Sequence, residues 1–322
     1  MARLDYWAKK VFNDPCVFAD LFNSFLFNGK PVVLPETLTP QDPSEVFHPA
    51  DNRRHFIRKE RDILKKAMCK RAENCSFILF GFEAQSYFDP TMPARGLLYE
   101  ALDYNFQLEE IKNQFKQQNS LTNKEFVAGF PSDLKLIPVI TLVLFLSNEE
   151  WPKKRLHDIL DIPNEEIGKY VHDYPLNLII PQEMSDEQIM QFGSEIRSIL
   201  FSIKYANNKD ALLKIVKNND AFQSIHYDTA RLILEITNLD INLKKTKEGI
   251  NMAEQMEKWS DHFLMKGIQQ GRIQGEIRGI VETMLEIGKS YNEIRLKIMD
   301  KFSLSSQEAQ NELDNLKLFL TK

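Results

Sequence analysis

The run LIPVITLVLFL, Leu136 to Leu146, limits what this chain can fold into more than any other stretch. It is too short to cross a bilayer, which takes about 20 apolar residues in a helix. It is rich in β-branched side chains and gives way to the polar SNEEWPKKR, so it predicts a buried strand. CSFILFGF, residues 75 to 82, predicts a second buried strand behind a turn-like RAEN. PCVFADLFNSFLFNG places Val17, Phe18, Leu21, Phe22, Phe25 and Leu26 three and four apart and stops at Gly29, the pattern of an amphipathic opening helix. MPARGLLYEALDYNFQLEEIKNQF, 92 to 115, returns to helical spacing through Leu97, Leu98, Ala101, Leu102, Tyr104 and Leu108. QDPSEVFHPADN reads as loop. FIRKERDILKKAM, 56 to 68, fits a helix by composition and also admits a strand around Asp62. The order helix, strands, helix, strand is that of an α/β fold over about the first 150 residues.

From Pro181 onward the pattern becomes mainly helical. SDEQ, Ser185 to Gln188, has capping-box spacing, and Ile189, Phe192, Ile196, Leu200 and Ile203 follow at helical intervals. DALLKIVKN and DTARLILEITNL continue the pattern. We therefore divide the chain into 1–180, a helical region 181–250 and a terminal region 251–322. In that last region Gly267, Gly271, Gly275 and Gly279 recur four apart in MKGIQQGRIQGEIRGIVETML. A helical Gly costs about 1 kcal/mol against Ala, so the stripe predicts close helix packing, between subunits as a homodimer or within the chain. Interleaved Gln, Arg and Glu exclude a membrane dimer. SYNEI at Ser290 supplies another capping box, and FSLSSQEAQNEL opens a last helix.

The net charge of −5 argues against a protein that coats nucleic acid by bulk electrostatics. Its distribution is uneven. RRHFIRKERDILKKAMCKR, Arg53 to Arg71, carries nine Lys or Arg against Glu60 and Asp62, a local +7 that leaves −12 on the remainder. Such a belt is either a solvated face or a polyphosphate-binding one. Cys16, Cys69 and Cys75 have neither metal-ligand nor redox spacing, which suits reduced thiols in the cytoplasm. MARLDYWAKKVFNDP does not read as a secretory signal, and nothing predicts a membrane span. GKS at Gly288 has Thr283 where a phosphate-cradling loop needs glycine.

Three residues remain with chemistry to offer. If the segment from Cys75 is a strand, Glu83 and Gln85 point to one face at its end. Asp62, 21 residues earlier, joins them if the two segments form a hairpin. Paired carboxylates repel unless a cation lies between them, and Mg²⁺ held by two acidic groups and phosphate oxygens resolves the repulsion. The alternative is a polar strand end with no site.

RDIL with Asp62, LFGFEAQS with Glu83 and Gln85, MPARGLLYEALDY with Arg95 and Tyr99, and LIPVITLVLFLSNEEW with Trp151 together resemble, in order, the Rpn family. These are the recombination-promoting nucleases, also described as PD-(D/E)xK nuclease family transposases. FADLFNSFLFNGKPVVLPETL and the tail KGIQQGRIQGEIRG fit the same family, so the resemblance covers most of the chain. It implies a restriction-endonuclease-like mixed sheet flanked by helices, followed by a mainly helical C-terminal region. It also implies a Mg²⁺- or Mn²⁺-dependent cut in DNA, with Asp62 and Glu83 as metal ligands and catalytic with Gln85. Gln85 stands where the superfamily usually has lysine, and the resemblance leaves Lys65, Lys66 or Arg95 to supply that charge. Tyr99 follows as support for the hairpin, while Asp20 and Glu36 match the family's opening segment. LFLSNEEW departs from the family's aromatic and glycine turn. A non-catalytic DNA-binding or regulatory protein that keeps the nuclease fold is the alternative.

Overall fold

Two helices precede the sheet in the computed structural model, which describes residues 2–47, 57–70, 75–115, 129–246 and 248–320. The first, α1 (Ala2–Phe12), buries Ala8, Val11 and Phe12. The second, α2 (Pro15–Phe27), starts where the Asp14 carboxylate accepts the Cys16 and Val17 backbone N–H groups, with Pro15 in the first turn. It ends at Asn28, whose left-handed φ of 52° closes the helix.

The sheet follows as β1 (Thr39–Pro40), β4 (Ile63–Lys70), β5 (Cys75–Gln85), β6 (Val139–Phe145) and β7 (Asn177–Ile179) in spatial order. A separate hairpin pairs β2 (Ser44–Phe47) with β3 (Ile57–Glu60). The loop expected at QDPSEVFHPADN is therefore strand at Ser44–Phe47, and its residues 48–52 lie outside the described ones. So do Arg53, Arg54 and Arg71 of the basic run and the RAEN turn. The segment around Asp62 takes the extended alternative. Its Lys and Arg residues suit a helix locally, but pairing across eight residues with β5 decides for strand.

The pair β4–β5 is antiparallel, while β5–β6 and β6–β7 are parallel. The crossover from β5 to β6 carries α3 (Met92–Phe115), as parallel pairing requires. Alternation on β5 sets the two faces of the sheet. Phe80 and Phe82 meet Phe22 and Phe12 of the opening helices, with ring centroids 4.8 and 4.6 Å apart. The odd-numbered face, with Leu79, Gly81 and Glu83, meets α3 through Tyr104 and Arg95. Val143 and Phe145 at the end of β6 pack with Trp151, whose Nε1 donates to the Lys153 carbonyl.

By contacts along the backbone the chain forms two units, Met1–Glu254 and Gln255–Lys322. The helices Ser194–Lys204, Lys209–Asn218 and Tyr227–Thr237 belong to the first. The run expected as one helix from Ser185 is broken. Its capping box is present, but it caps only Asp186–Ile189, and the chain re-enters helix at Ser194 after Gly193. Tyr227–Thr237 lies against α1 through Lys10–Asp228 (2.9 Å), Arg3–Glu235 (3.2 Å) and an edge contact of Trp7 with Tyr227.

The second unit packs Ile277, Val281, Ile294, Ile298, Ala309 and Leu313 into a small core. The glycine stripe lies on one helix, Met252–Glu286. A Cβ at Gly267, Gly271, Gly275 or Gly279 would meet no atom within 4 Å. Within the second unit, none of the described residues packs on the stripe.

Candidate functional site

The hairpin register creates the site. Ile63 pairs with Phe82, so Asp62, one residue before β4, arrives beside Glu83 at the end of β5. The backbone N–H of Ala84 donates to Asp62 Oδ2 at 2.8 Å and holds the carboxylate there. Glu83 is only 2% exposed, and Gln85, two residues on and on the same face, donates its amide to Glu83 Oε2 at 3.0 Å. The other oxygen, Glu83 Oε1, is buried with no hydrogen-bond partner among the described residues.

Two cations reach this pair from different helices. Arg95, in the first turn of α3, sits 3.7 Å from Glu83 Oε2. It is held by Asp89 at 2.6 Å and donates to the Tyr99 hydroxyl at 2.9 Å. Asp89 also accepts the Thr91 backbone N–H, which ties the arginine's orientation to the start of the helix. From the other side of the sheet, Lys9 of α1 places Nζ 3.0 Å from Asp62 Oδ1. Burial, reinforced by the Asp62 carboxylate, pushes Glu83 up to about 8 against the pull of Arg95, Arg61 and Lys9. The bond to Asp62 raises Lys9.

Arg61, next in the chain to Asp62, is 2% exposed beneath α3. It pairs with Asp103 at 2.7 Å and lies over the Tyr99 ring, 5.0 Å from its centroid. Gly81 makes room for it, since a Cβ there would stand 2.8 Å from the guanidinium.

The remaining candidates are not at the carboxylates. Lys65 lies on the opposite face of β4, where Nζ donates to the Asn13 carbonyl at 2.7 Å and sits over the Phe18 ring. Lys66 pairs across the sheet with Leu79 rather than at the level of Glu83, and its ammonium lies over Phe77. Asp20 accepts from Ser24 and from the Gly193 backbone N–H, fastening α2 to the start of Ser194–Lys204. Glu36 lies in the short turn Pro35–Thr37, and among the described residues it makes no hydrogen bond or ion pair to Asp62 or Glu83. Of Lys65, Lys66 and Arg95, Arg95 alone is placed beside Glu83.

Lys9 and Arg61 were not singled out from the sequence. Leu4, Trp7, Ala8, Val11 and Phe12 have the three-and-four spacing that predicts α1, so the helix bearing Lys9 was legible. Its contact with Asp62 was not, because it depends on how α1 lies on the sheet.

Lys65 gives a test of this placement by stability. Burial lowers its ammonium to about 8. The unfolded chain therefore holds a proton between pH 8 and 10.5 that the folded chain gives up, so stability rises with pH across that window and the penalty is complete below it. Lys65→Met removes the penalty but loses the Asn13 bond and the Phe18 contact. We expect a net gain of roughly 1–2 kcal/mol at pH 7 and a flatter profile from pH 8 to 10.5 in urea denaturation. A variant less stable than the parent at pH 7 would mean that the charged form is well accommodated.

Among the described residues no three His, Cys, Asp or Glu side chains gather to hold a metal. Two carboxylates are nonetheless a complete protein share for Mg²⁺, which keeps water and phosphate oxygens in its other positions. The unpartnered Glu83 Oε1 fits such a role. No helix among the described residues is long and apolar enough to cross a membrane. No protein-family model matches the chain, and neither the curated proteins nor the solved structures yield a significant match.

Proposed function

We propose that the chain is a metal-dependent endonuclease that hydrolyses DNA phosphodiesters on a PD-(D/E)xK core, of the recombination-promoting or transposase type. The observation that supports this most is the meeting of Asp62 and Glu83 at the end of the β4–β5 hairpin, with one buried Glu83 oxygen unpartnered. Asp62 and Glu83 would hold Mg²⁺ or Mn²⁺. When bound, the metal polarises the phosphate and lowers the pKa of a water. Gln85 orients Glu83 through its amide, and with no ionisable group it holds a water by hydrogen bonding alone. Arg95, fixed by Asp89 and Tyr99, keeps a positive charge beside Glu83 and opposes the burial that would keep it protonated.

Nicking of supercoiled plasmid by purified protein with Mg²⁺ or Mn²⁺, lost in Asp62→Ala and Glu83→Ala, tests the reading. Cleavage unchanged in both variants would remove these carboxylates from the mechanism. The glutamine at position 85 favours a second reading, DNA binding without cleavage. Salt-sensitive binding with no cut under any divalent metal would select it.

We assign the neighbour of the glycine stripe to a second copy, giving a homodimer through the C-terminal helices. On that assignment Gly271→Ala weakens the dimer. In a monomer the same change, made into open space, would stabilise the helix by about 0.5–1 kcal/mol. Mass measurement in solution together with thermal melting separates the two results.

A further inference from the structure

We infer that Lys9 is a further catalytic residue, an ammonium delivered from α1 to the carboxylates in place of the lysine that Gln85 displaces from β5. The inference rests on the nuclease reading and adds a group that the motifs do not contain. Its ground is geometric. Lys9 Nζ stands 3.0 Å from Asp62 Oδ1, so the carboxylate with its second oxygen on the Ala84 N–H has its first on an ammonium. The lysine is about half exposed, at 53%, whereas Lys65 is buried on Asn13 and Phe18. It can therefore turn from Asp62 to an incoming group, and the Asp62 carboxylate, 18% exposed, keeps the Ala84 N–H on its other oxygen. Its helix is anchored independently of the site, by Phe12 against Phe82 on the sheet and by Lys10 and Arg3 on Tyr227–Thr237.

An ammonium with three donors beside two carboxylates and an unpartnered Glu83 oxygen suits a phosphate diester, whose non-bridging oxygens gain charge as water attacks phosphorus. Arg95 does not duplicate it. The arginine is engaged by Asp89 and Tyr99, and it faces Glu83 rather than Asp62. Lys9 keeps its proton throughout and acts by hydrogen bonds to a phosphate oxygen.

The test compares Lys9→Ala with Lys10→Ala, which removes the same charge one residue along the same helix from a lysine committed to Asp228. Plasmid cleavage with Mg²⁺ at saturating DNA, binding of a labelled duplex in EDTA across a salt series, and thermal melting are measured for each. Lys9→Ala should cleave at least about 100-fold more slowly, the scale of losing one donor to developing charge. Its slope of log affinity against log salt should fall by about one, with melting close to that of Lys10→Ala. Lys9→Ala/Gln85→Lys should regain at least tenfold of the lost rate. Cleavage by Lys9→Ala within twofold of Lys10→Ala would overturn the inference. If the parent protein itself fails to cut, the nuclease reading falls first. The salt slope then decides Lys9, and equal slopes in the two variants would remove it from the phosphate.

Discussion

On the proposed nuclease reading Glu83→Gln is expected to end metal-dependent cleavage and, in EDTA, to make the protein more stable than its parent above pH 8. The carboxyl group is 2% exposed, and burial with Asp62 beside it raises it from 4.5 to about 8. Between those values the folded chain keeps a proton that the unfolded chain releases. Stability of the parent is therefore complete below about pH 4.5, falls as pH rises, and levels off above 8. The full loss is of the order of 3–5 kcal/mol. An amide of the same shape cannot ionise, so the variant lacks this slope, and the two proteins converge near pH 5. Urea denaturation at pH 5 and pH 9 measures both ends, and parallel pH profiles would show that Glu83 ionises in the fold as readily as in water. Cleavage should fall by more than the roughly 10–100-fold seen when a group that merely orients a metal ligand is lost. A stable but inactive Glu83→Gln would separate loss of a ligand from loss of fold, which Glu83→Ala, leaving a cavity, does less cleanly.

What the sequence made legible followed periodicity. Met92–Phe115 and Pro15–Phe27 stand out because three-and-four spacing persists over several turns and their ends carry recognisable signals. Val139–Phe145 and Cys75–Gln85 stand out as short apolar runs that only a sheet interior accommodates. The segment at Asp62 was ambiguous for a physical reason, because Arg and Lys favour helix weakly while a neighbouring strand offers a full ladder of hydrogen bonds. The break at Gly193 was hidden by apolar residues that keep helical spacing across it. There the Gly193 N–H goes to Asp20, a carboxylate distant in sequence that no local pattern reveals. For the candidate site, Asp62, Glu83, Gln85 and Arg95 were readable as residues and Lys9 was not. Strand alternation alone places Lys65 on the face away from Glu83 once the hairpin register is known, and the register is a tertiary fact.

Arg61→Met is expected to destabilise the first unit by about 3–5 kcal/mol, the cost of breaking a buried ion pair by removing one partner. The guanidinium is fully enclosed between Gly81, the Tyr99 ring and Asp103, so its removal takes the 2.7 Å ion-pair partner from the Asp103 carboxylate, 6% exposed, beneath α3. Asp103→Leu should cost a similar amount by taking a 2.7 Å carboxylate partner from the buried arginine. The double variant Arg61→Met/Asp103→Leu should recover most of the loss, because two apolar side chains need no partner and the desolvation penalty of a buried pair cancels much of its Coulomb energy. Urea denaturation of all four proteins closes the cycle, and additive losses would mean that the two charges are held by other groups rather than by each other. Gly81→Ala probes the same enclosure from the other side. Its Cβ would lie 2.8 Å from the guanidinium and 3.2 Å from Thr141 Oγ1, an overpacking of about 1–3 kcal/mol that Arg61→Met should relieve. Because Arg61 is bonded in sequence to Asp62, its enclosure also fixes where the strand presents the Asp62 carboxylate. A double variant that regains stability but cuts slowly would assign the ion pair to positioning Asp62, at the expense of a more stable apolar core.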